Sequence, residues 1–450
     1  MDTDLDVAVI GAGISGLALA YRLQQAGRRV HVFEAADAVG GRMRSLRQDG
    51  HVIDTGAEML SDPGYEATWE LIRELGVPGK EVPRLPAAVA LWRGGRAHPN
   101  VGRPLGLLTG AGLSWRGRLD LLRFQAWVGR RSRAFDPDRP EHTPVGDLTV
   151  AAVAERYSAE LRDYTFEPLA GGFFGWQLDR SAAAPLICLL LATRSTTNWH
   201  TYRHGMDDLA RRLAERVDVT TGCRVHEVVS AHEAARIVTD NGVLTARRAV
   251  LCVPAPVALG LHANVAEDER PYLQASTYAP MLRVSCLLDQ PLSARGGGRA
   301  YIIALPAAEN RVLSGLTLDH TKPARAPAGR GLVSLLTRPH ATRELIDASD
   351  DEIVHRLTEE GERYLPGLRR AIRASVVSRF GHGLPEATPA ALRLRSGFLQ
   401  RPTRTVEYAG DWLACRPNCE GAVRSAALAC RRVLDGTSRA PRRFPATTRR

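Results

Sequence analysis

The sequence predicts an α/β fold of two units, one of them assembled from separated stretches of chain. Three observations carry that prediction. The 450 residues are more than one simple core organises. The first 34 residues read as strand, glycine-rich turn, helix and strand. That character fades from about residue 85, returns near 205 and returns again near 405.

Asp6–Ile10 is a short apolar strand that runs directly into Gly11-Ala-Gly13-Ile14-Ser15-Gly16. Leu17 to Ala26 is rich in Ala and Leu and stops at Gly27, as a helix does. Arg29 to Glu34 alternates like a strand and ends on an acid. This order is that of a dinucleotide-binding unit. Gly11 permits the tight turn, Gly13 lets backbone approach a pyrophosphate, and Gly16 lets helix pack on strand. The helix N-terminus offers free N–H groups to phosphate, and Glu34 can accept from ribose hydroxyls. Gly40-Gly41-Arg42 follows, then Asp54-Thr-Gly56-Ala57-Glu58-Met59; an arginine there can neutralise pyrophosphate.

The stretch from 85 to 204 is Arg-, Trp- and Leu-rich, without a second glycine fingerprint, and its apolar run Ala182 to Ala192 reads as a buried helix. From His204 an amphipathic helix begins, strands are expected at 217–220, 224–229 and 249–253, and Asp240-Asn241-Gly242 signals a hairpin. Thr405 to Asp411 is a strand ending in Gly410-Asp411, and a helix follows from Asn418 through Glu420-Gly421-Ala422 to Leu434. The expected division is 1–84, 205–271 and 381–436 for the nucleotide unit, Rossmann-like and discontinuous. A mixed-sheet α+β unit takes 85–204 and 272–380, and 437–450 is expected to be a disordered basic tail.

Together the first fingerprint, Gly40-Gly41-Arg42, Asp54-Thr-Gly56-Ala57 and the C-terminal Gly410-Asp411 to Ala422 segment resemble the flavin-containing amine oxidase superfamily, with its protoporphyrinogen oxidases and phytoene-type desaturases. The resemblance implies FAD, along Gly11, Gly13, Ile14, Ser15, Gly16, Glu34 and Ala35, then Gly40, Gly41 and Arg42, then Gly56, Ala57, Glu58 and Met59. It implies further that Val225 meets the adenine through its backbone and that Gly410 and Asp411 lie at the ribityl or phosphate region. Glu420, Gly421 and Ala422 would set a helix N-terminus at the flavin N1 edge, where half a positive charge supports the reduced ring. Covalent relatives carry a cysteine where this chain reads Phe380-Gly-His382-Gly-Leu-Pro385, so the FAD is expected to be non-covalent.

The expected reaction is hydride abstraction from a C–N or C–C bond of a small molecule, with oxygen among the candidate acceptors. Isomerisation or cyclisation by reduced flavin, a peripheral-membrane desaturase and a non-enzymatic FAD-holding protein stand as alternatives. Arg283 and His382 are the catalytic candidates. On the strand Met281 to Leu288, alternation puts Leu282, Val284, Cys286 and Leu288 on one face, so Arg283 is expected to look at solvent or a cavity, there to hold an anionic or carbonyl group. His200, Tyr202 and His204 are weaker acid/base candidates, a structural role being favoured.

The 60 basic and 49 acidic residues leave a net charge of +11, and only Lys80 and Lys322 among the basic ones are lysines. No zinc-finger or RNA-binding signature accompanies that charge, so nucleic acid is not expected as a partner. Gly102 to Arg133 interleaves leucines and tryptophans with seven arginines. It can lie on anionic lipid, though helices packing over the active site are the favoured reading. Cys415 and Cys419 read as two buried thiols and no metal site is expected. Seven cysteines without a framework and an acidic, glycine-punctuated N-terminus place the expected location in the cytoplasm. Oligomeric state is not legible.

Overall fold

The computed structural model describes residues 3–85, 88–298 and 300–435. Leu5–Ile10 is the centre of the first sheet, and its Val7, Ala8, Val9 and Ile10 are buried because the sheet is covered on both faces. It pairs in parallel with Val30–Phe33 on one side and with the end of Gly242–Leu251 on the other. Val219–Thr220 extends the first side, and Val406–Tyr408 joins Gly242–Leu251, both in parallel. Val225–Ser230 and Ala235–Thr239 continue the sheet in antiparallel fashion, closed by the expected hairpin. Three separated pieces of chain thus meet in one sheet. On one face, Leu17, Ala18 and Leu23 of the helix Ile14–Gln25 share a core with Val423 and Ala426 of the helix Cys419–Asp435.

The second sheet runs Ile372–Pro385, Tyr278–Leu288, Gly331–Thr337, Leu313–Thr317, Ala300–Ala304, Ala88–Arg93, Arg96–Val101. Neighbours are antiparallel except Ala300–Ala304 with Ala88–Arg93. Leu282, Val284, Cys286 and Leu288 share one core with Ile353 and Leu357 of the helix Asp350–Glu362, as the alternation predicts. A group of helices, among them Trp115–Arg130 and Ala183–Thr193, packs alongside around Phe124, Phe166, Trp176 and Ile187. Pro185 sits in the first turn of Ala183–Thr193, where the missing N–H costs nothing, and the helix is unbroken.

One expected boundary moves. The strand Ile372–Pro385 runs through position 381, where the nucleotide unit was to resume. Gly383 there marks close approach within the strand, since a β-carbon on it would stand 2.6 Å from that of Met281 on the paired strand. The expected tail at 437–450 lies outside the described residues. Among the described residues no helix is long and apolar enough to cross a membrane.

Candidate active site

The glycine turn sits at the C-terminal end of the central strand. Gly11 has φ +102° and accepts no side chain, since a β-carbon would stand 2.8 Å from the Cys252 carbonyl oxygen. At Gly16 it would stand 2.0 Å from the Gly11 carbonyl oxygen, so helix and strand are in backbone contact. Gly13 differs: nothing lies within 4 Å of a β-carbon there, because this residue opens on a cavity. Gly11 and Gly16 thus make the tight turn and the helix–strand contact their spacing predicts, and Gly13 stands open to the cavity. Glu34 also lines that cavity, its Oε2 accepting from the Ala12 N–H at 2.7 Å and its Oε1 from the Ala36 N–H at 2.9 Å. Ala35 beside it is exposed.

Arg42 follows the left-handed Gly40 and Gly41 and reaches across the cavity wall. Its guanidinium donates two 2.8 Å bonds to Asp411 and one of 3.0 Å to the Gly383 carbonyl. The arginine expected on pyrophosphate is therefore already paired, and it ties both distant segments to the fingerprint. Beside it, Trp412 is buried and its indole Nε1–H has no partner. The helix Cys419–Asp435 starts at the cavity, with Asn418 Oδ1 capping the Gly421 N–H at 2.9 Å and Ala422 in the wall.

These residues belong to one cavity of about 1390 Å³, in which Ile14, Ser15, Gly40, Gly41, Gly56, Ala57, Met59 and Gly410 also take part. It continues from the glycine turn into an apolar chamber walled by Leu121, Phe124, Val128, Phe173, Trp199 and Ile302. His382 also lines the cavity, exposed on its strand and edge-on to Tyr278 at 5.7 Å. Burial, and then the Arg42 charge, hold its imidazole below the ordinary histidine value, so it is neutral at pH 7.

Arg283 is a correction. It is 1% exposed and faces neither solvent nor the open cavity. Its guanidinium is bonded to Glu58 and, at 3.1 Å, to Asp319. Lys322, fully buried, joins the same cluster, with Nζ 2.5 Å from Glu58, 3.2 Å from Asp54 and 3.2 Å from Asp319. Arg325 completes it on Asp54 at 2.9 Å. Three acids and three bases neutralise one another between the two sheets. Glu58 is the member that lines the cavity, and it also accepts from the Tyr301 hydroxyl. Alternation identified the face of Arg283 but not the charges that cover it.

Five expected cofactor contacts, the exposed Ala35 among them, stand back from the wall. Gly16 and Gly421 serve packing, a β-carbon on Gly421 falling 2.3 Å from the Arg416 carbonyl oxygen. Val225 is buried at the start of its strand and does not line the cavity. Glu420 turns away altogether: fully buried, it accepts from the N–H groups of Ala67 and Thr68 at the start of the helix Glu66–Glu74 and from Arg424. His200, Tyr202 and His204 lie outside the cavity; His200 Nδ1 meets the Val82 carbonyl, and Tyr202 is buried in the first core.

The sequence profile of flavin containing amine oxidoreductases matches residues 14–434. The chain belongs to the flavin containing amine oxidoreductase family. It is 33% identical over 169 residues to protoporphyrinogen oxidase 2 of Arabidopsis thaliana, covering 37% of this chain and 32% of that one. To coproporphyrinogen III oxidase of Staphylococcus aureus it is 29% identical over 178 residues, or 39% and 37% of the two chains. The chain thus spans about a third of the length of these curated relatives. A redesigned putrescine oxidase superposes with a TM-score of 0.79 at 19% identity, covering 97% of this chain and 99% of the other. Cyclohexylamine oxidase from Brevibacterium oxydans does so with 0.76 at 17%, covering 97% and 100%. Both show the shared two-sheet α/β fold.

FAD is accordingly the cofactor of this flavin amine oxidoreductase chain, and the residues present fit it. Gly13 leaves room where a phosphate would stand, and Trp412 Nε1 is a buried donor awaiting an acceptor. Gly410 makes that indole position possible, since a β-carbon would fall 2.4 Å from Nε1. The two cavity thiols suit a non-covalent site. Burial pushes Cys419 up to about 12 and Cys252 higher still, so neither is a nucleophile at neutral pH. Trp412, Asn418 and Lys322 were not assigned to the site from sequence. Asn418 carried an N-cap signal, and Lys322 stood out as a lysine in an arginine-rich chain.

Proposed function

We propose that this chain dehydrogenates a C–N or C–C bond of a small organic molecule held in the apolar chamber. The observation that carries the reading is the continuity of one cavity from the glycine turn and Glu34 to the chamber walled by Phe173, Trp199 and Ile302. FAD, when bound, supplies the two-electron oxidant. The chain's own part is binding, orientation and charge. Gly11, Gly13 and the first helix N-terminus receive the phosphates, Glu34 the ribose, and Trp412 Nε1 an oxygen between them. The start of Cys419–Asp435 at Ala422 offers a partial positive charge to an electron-rich ring edge. The apolar wall excludes water. Neutral His382 is the group able to take the proton that leaves the substrate's adjacent N–H or C–H, while Glu58, with three donors on it, is not. Oxygen as acceptor would release peroxide. The test is aerobic turnover with peroxide and product mass followed together: loss of two hydrogens with peroxide supports an oxidase, loss of two hydrogens without peroxide places another acceptor, and an unchanged mass supports the isomerase alternative instead.

A second reading concerns where the protein works. Leu105, Leu108, Trp115, Leu119 and Leu122 are exposed on the helices Pro104–Thr109 and Trp115–Arg130, Leu108 by 77% and Trp115 by 68%. The opposite side of the second helix, at Phe124 and Val128, is buried against the cavity. The sequence allows both arrangements and favours packing over the active site; the exposed apolar face supports contact with a lipid surface as well.

A further inference from the structure

Of the six charged side chains clustered between the two sheets, five are at most 3% exposed, and only Glu58, at 16%, opens on the cavity. Lys322 is the member that joins all three acids. Its ammonium carries three N–H groups, and three carboxylates stand within reach of Nζ: Glu58 at 2.5 Å, Asp54 at 3.2 Å and Asp319 at 3.2 Å. A compact ammonium suits that arrangement better than a planar guanidinium does, and one of the two lysines in this chain stands here. Tyr301, fully buried, holds both partners: its ring centre lies 4.8 Å from Nζ and its hydroxyl donates to Glu58. Burial works against the ammonium, but Glu58, Asp54 and Asp319 outweigh it and keep its value above the ordinary one, so Lys322 is charged at neutral pH.

Glu58 belongs to the run Gly56-Ala57-Glu58-Met59, all four in the cavity wall. Gly56 is in backbone contact with Arg42, a β-carbon on it falling 2.3 Å from the Arg42 carbonyl oxygen, and Arg42 in turn holds Asp411. The run is therefore fixed at the cofactor end of the cavity. The cations that balance Glu58, Arg283 and Lys322, stand behind it and do not line the cavity themselves. Three acids against three bases sum to zero, so removing one charge leaves an excess that meets the cavity at Glu58. Reduction adds negative charge to a flavin. A negative excess beside it opposes reduction and a positive one favours it.

We propose that Lys322 tunes the reduction potential of the FAD through Glu58, by cancelling the charge that Glu58 presents to the cavity. Lys322 is a positioning residue that acts on the flavin whatever the substrate. The test is the two-electron potential of the FAD-loaded protein, measured by equilibration with reference dyes. Lys322→Met leaves the set one charge negative and should lower the potential. Glu58→Gln leaves it one charge positive and should raise it. Each shift should reach at least about tenfold in the ratio of oxidised to reduced flavin, or about 30 mV. Glu58→Gln combined with Lys322→Met balances the set again, and its potential should return to that of wild type. Lys80→Met removes an exposed lysine outside the cavity, should move nothing and so controls for net charge. If Lys322→Met does not fold or hold FAD, Glu58→Gln and the balanced double variant decide, by a rise in the first that is absent from the second. Shifts of one sign in both single variants, or an unmoved potential, would overturn the proposal. So would a double variant that keeps the shift of Glu58→Gln, or loss of FAD from all three, either of which would leave the cluster a structural joint.

Discussion

Arg42 grips Asp411 through two parallel 2.8 Å hydrogen bonds across 369 residues of chain, so the first glycine fingerprint and the last helix are positioned as one object. Asp411 is almost fully buried. Arg42→Ala leaves that buried carboxylate without its counter-charge, a loss of about 1–3 kcal/mol when the removed partner is itself part exposed. We expect a lower thermal midpoint and protein that purifies largely without flavin. Wild-type midpoint and full FAD content would show that the pair does not hold the two segments together.

Glu34 is tested through the cofactor alone. Its two oxygens already fix Ala12 and Ala36, and each keeps acceptor capacity on a side chain that lines the cavity. Glu34→Ala should weaken FAD by about tenfold or more, as loss of a charged hydrogen-bond acceptor does. Equilibrium dialysis against FAD gives the number directly, and an unaltered dissociation constant would remove Glu34 from the ribose.

The cluster around Lys322 has a pH signature. Burial alone would raise the Asp54 carboxyl, but Arg325 and Lys322 outweigh it and hold it below its ordinary value; Asp319 is lowered likewise, by Lys322 and Arg283 against its burial. A folded-state value below the unfolded one adds stability above about pH 4, lost as pH falls through the folded value. Lys322→Met should therefore move the acid-unfolding midpoint upward and destabilise the protein at neutral pH. Arg283→Ala should do the same, in place of the selective kinetic effect a cavity arginine would give. Circular dichroism against pH checks both. An acid limb identical to wild type would mean that the cluster contributes nothing.

His382 predicts a kinetic profile. Burial and Arg42 lower its value, so the proton-accepting form is complete above about pH 6.5 and lost as pH falls. Substrate-driven flavin reduction should rise with pH to a plateau, and His382→Gln should flatten the rise and slow the plateau at least about tenfold. Rapid-mixing spectroscopy over that range reads both. The same profile in the variant would return His382 to a lining role.

Liposome flotation with anionic vesicles at low salt examines the exposed face. Wild type should co-migrate, and Leu108→Ser with Trp115→Ser should not. A wild type that stays behind would leave the exposed leucines as a solvated face.

What the sequence disclosed follows from how local each signal was. The turn at Gly11–Gly16 and the position of Glu34 are set by spacing within one βαβ unit, and the structure builds that turn with Glu34 on the cavity wall. The return of the chain at 205 and 405 was legible because strand and helix patterns repeat with the composition of the first unit. Arg283 was placed on the right face and given the wrong surroundings, because Asp54, Glu58, Asp319 and Lys322 reach it from distant positions that no periodicity connects. Glu420 stands beside Gly421 in sequence, but adjacent residues on a helix point apart, and it turns to Ala67 and Thr68 instead of the cavity. Trp412, counted with the core, is buried, and only the contacts show that its N–H is left over.

Anaerobic mixing of the FAD-loaded protein with a panel of amines, porphyrinogens and polyenes measures the central claim most directly. The account predicts that the yellow flavin absorbance bleaches with at least one C–N or C–C hydrogen donor, that the bleaching slows in His382→Gln, and that all the flavin is released as FAD on acid precipitation. Flavin that stays oxidised with every donor while turnover proceeds only after chemical reduction and without net redox change would contradict it.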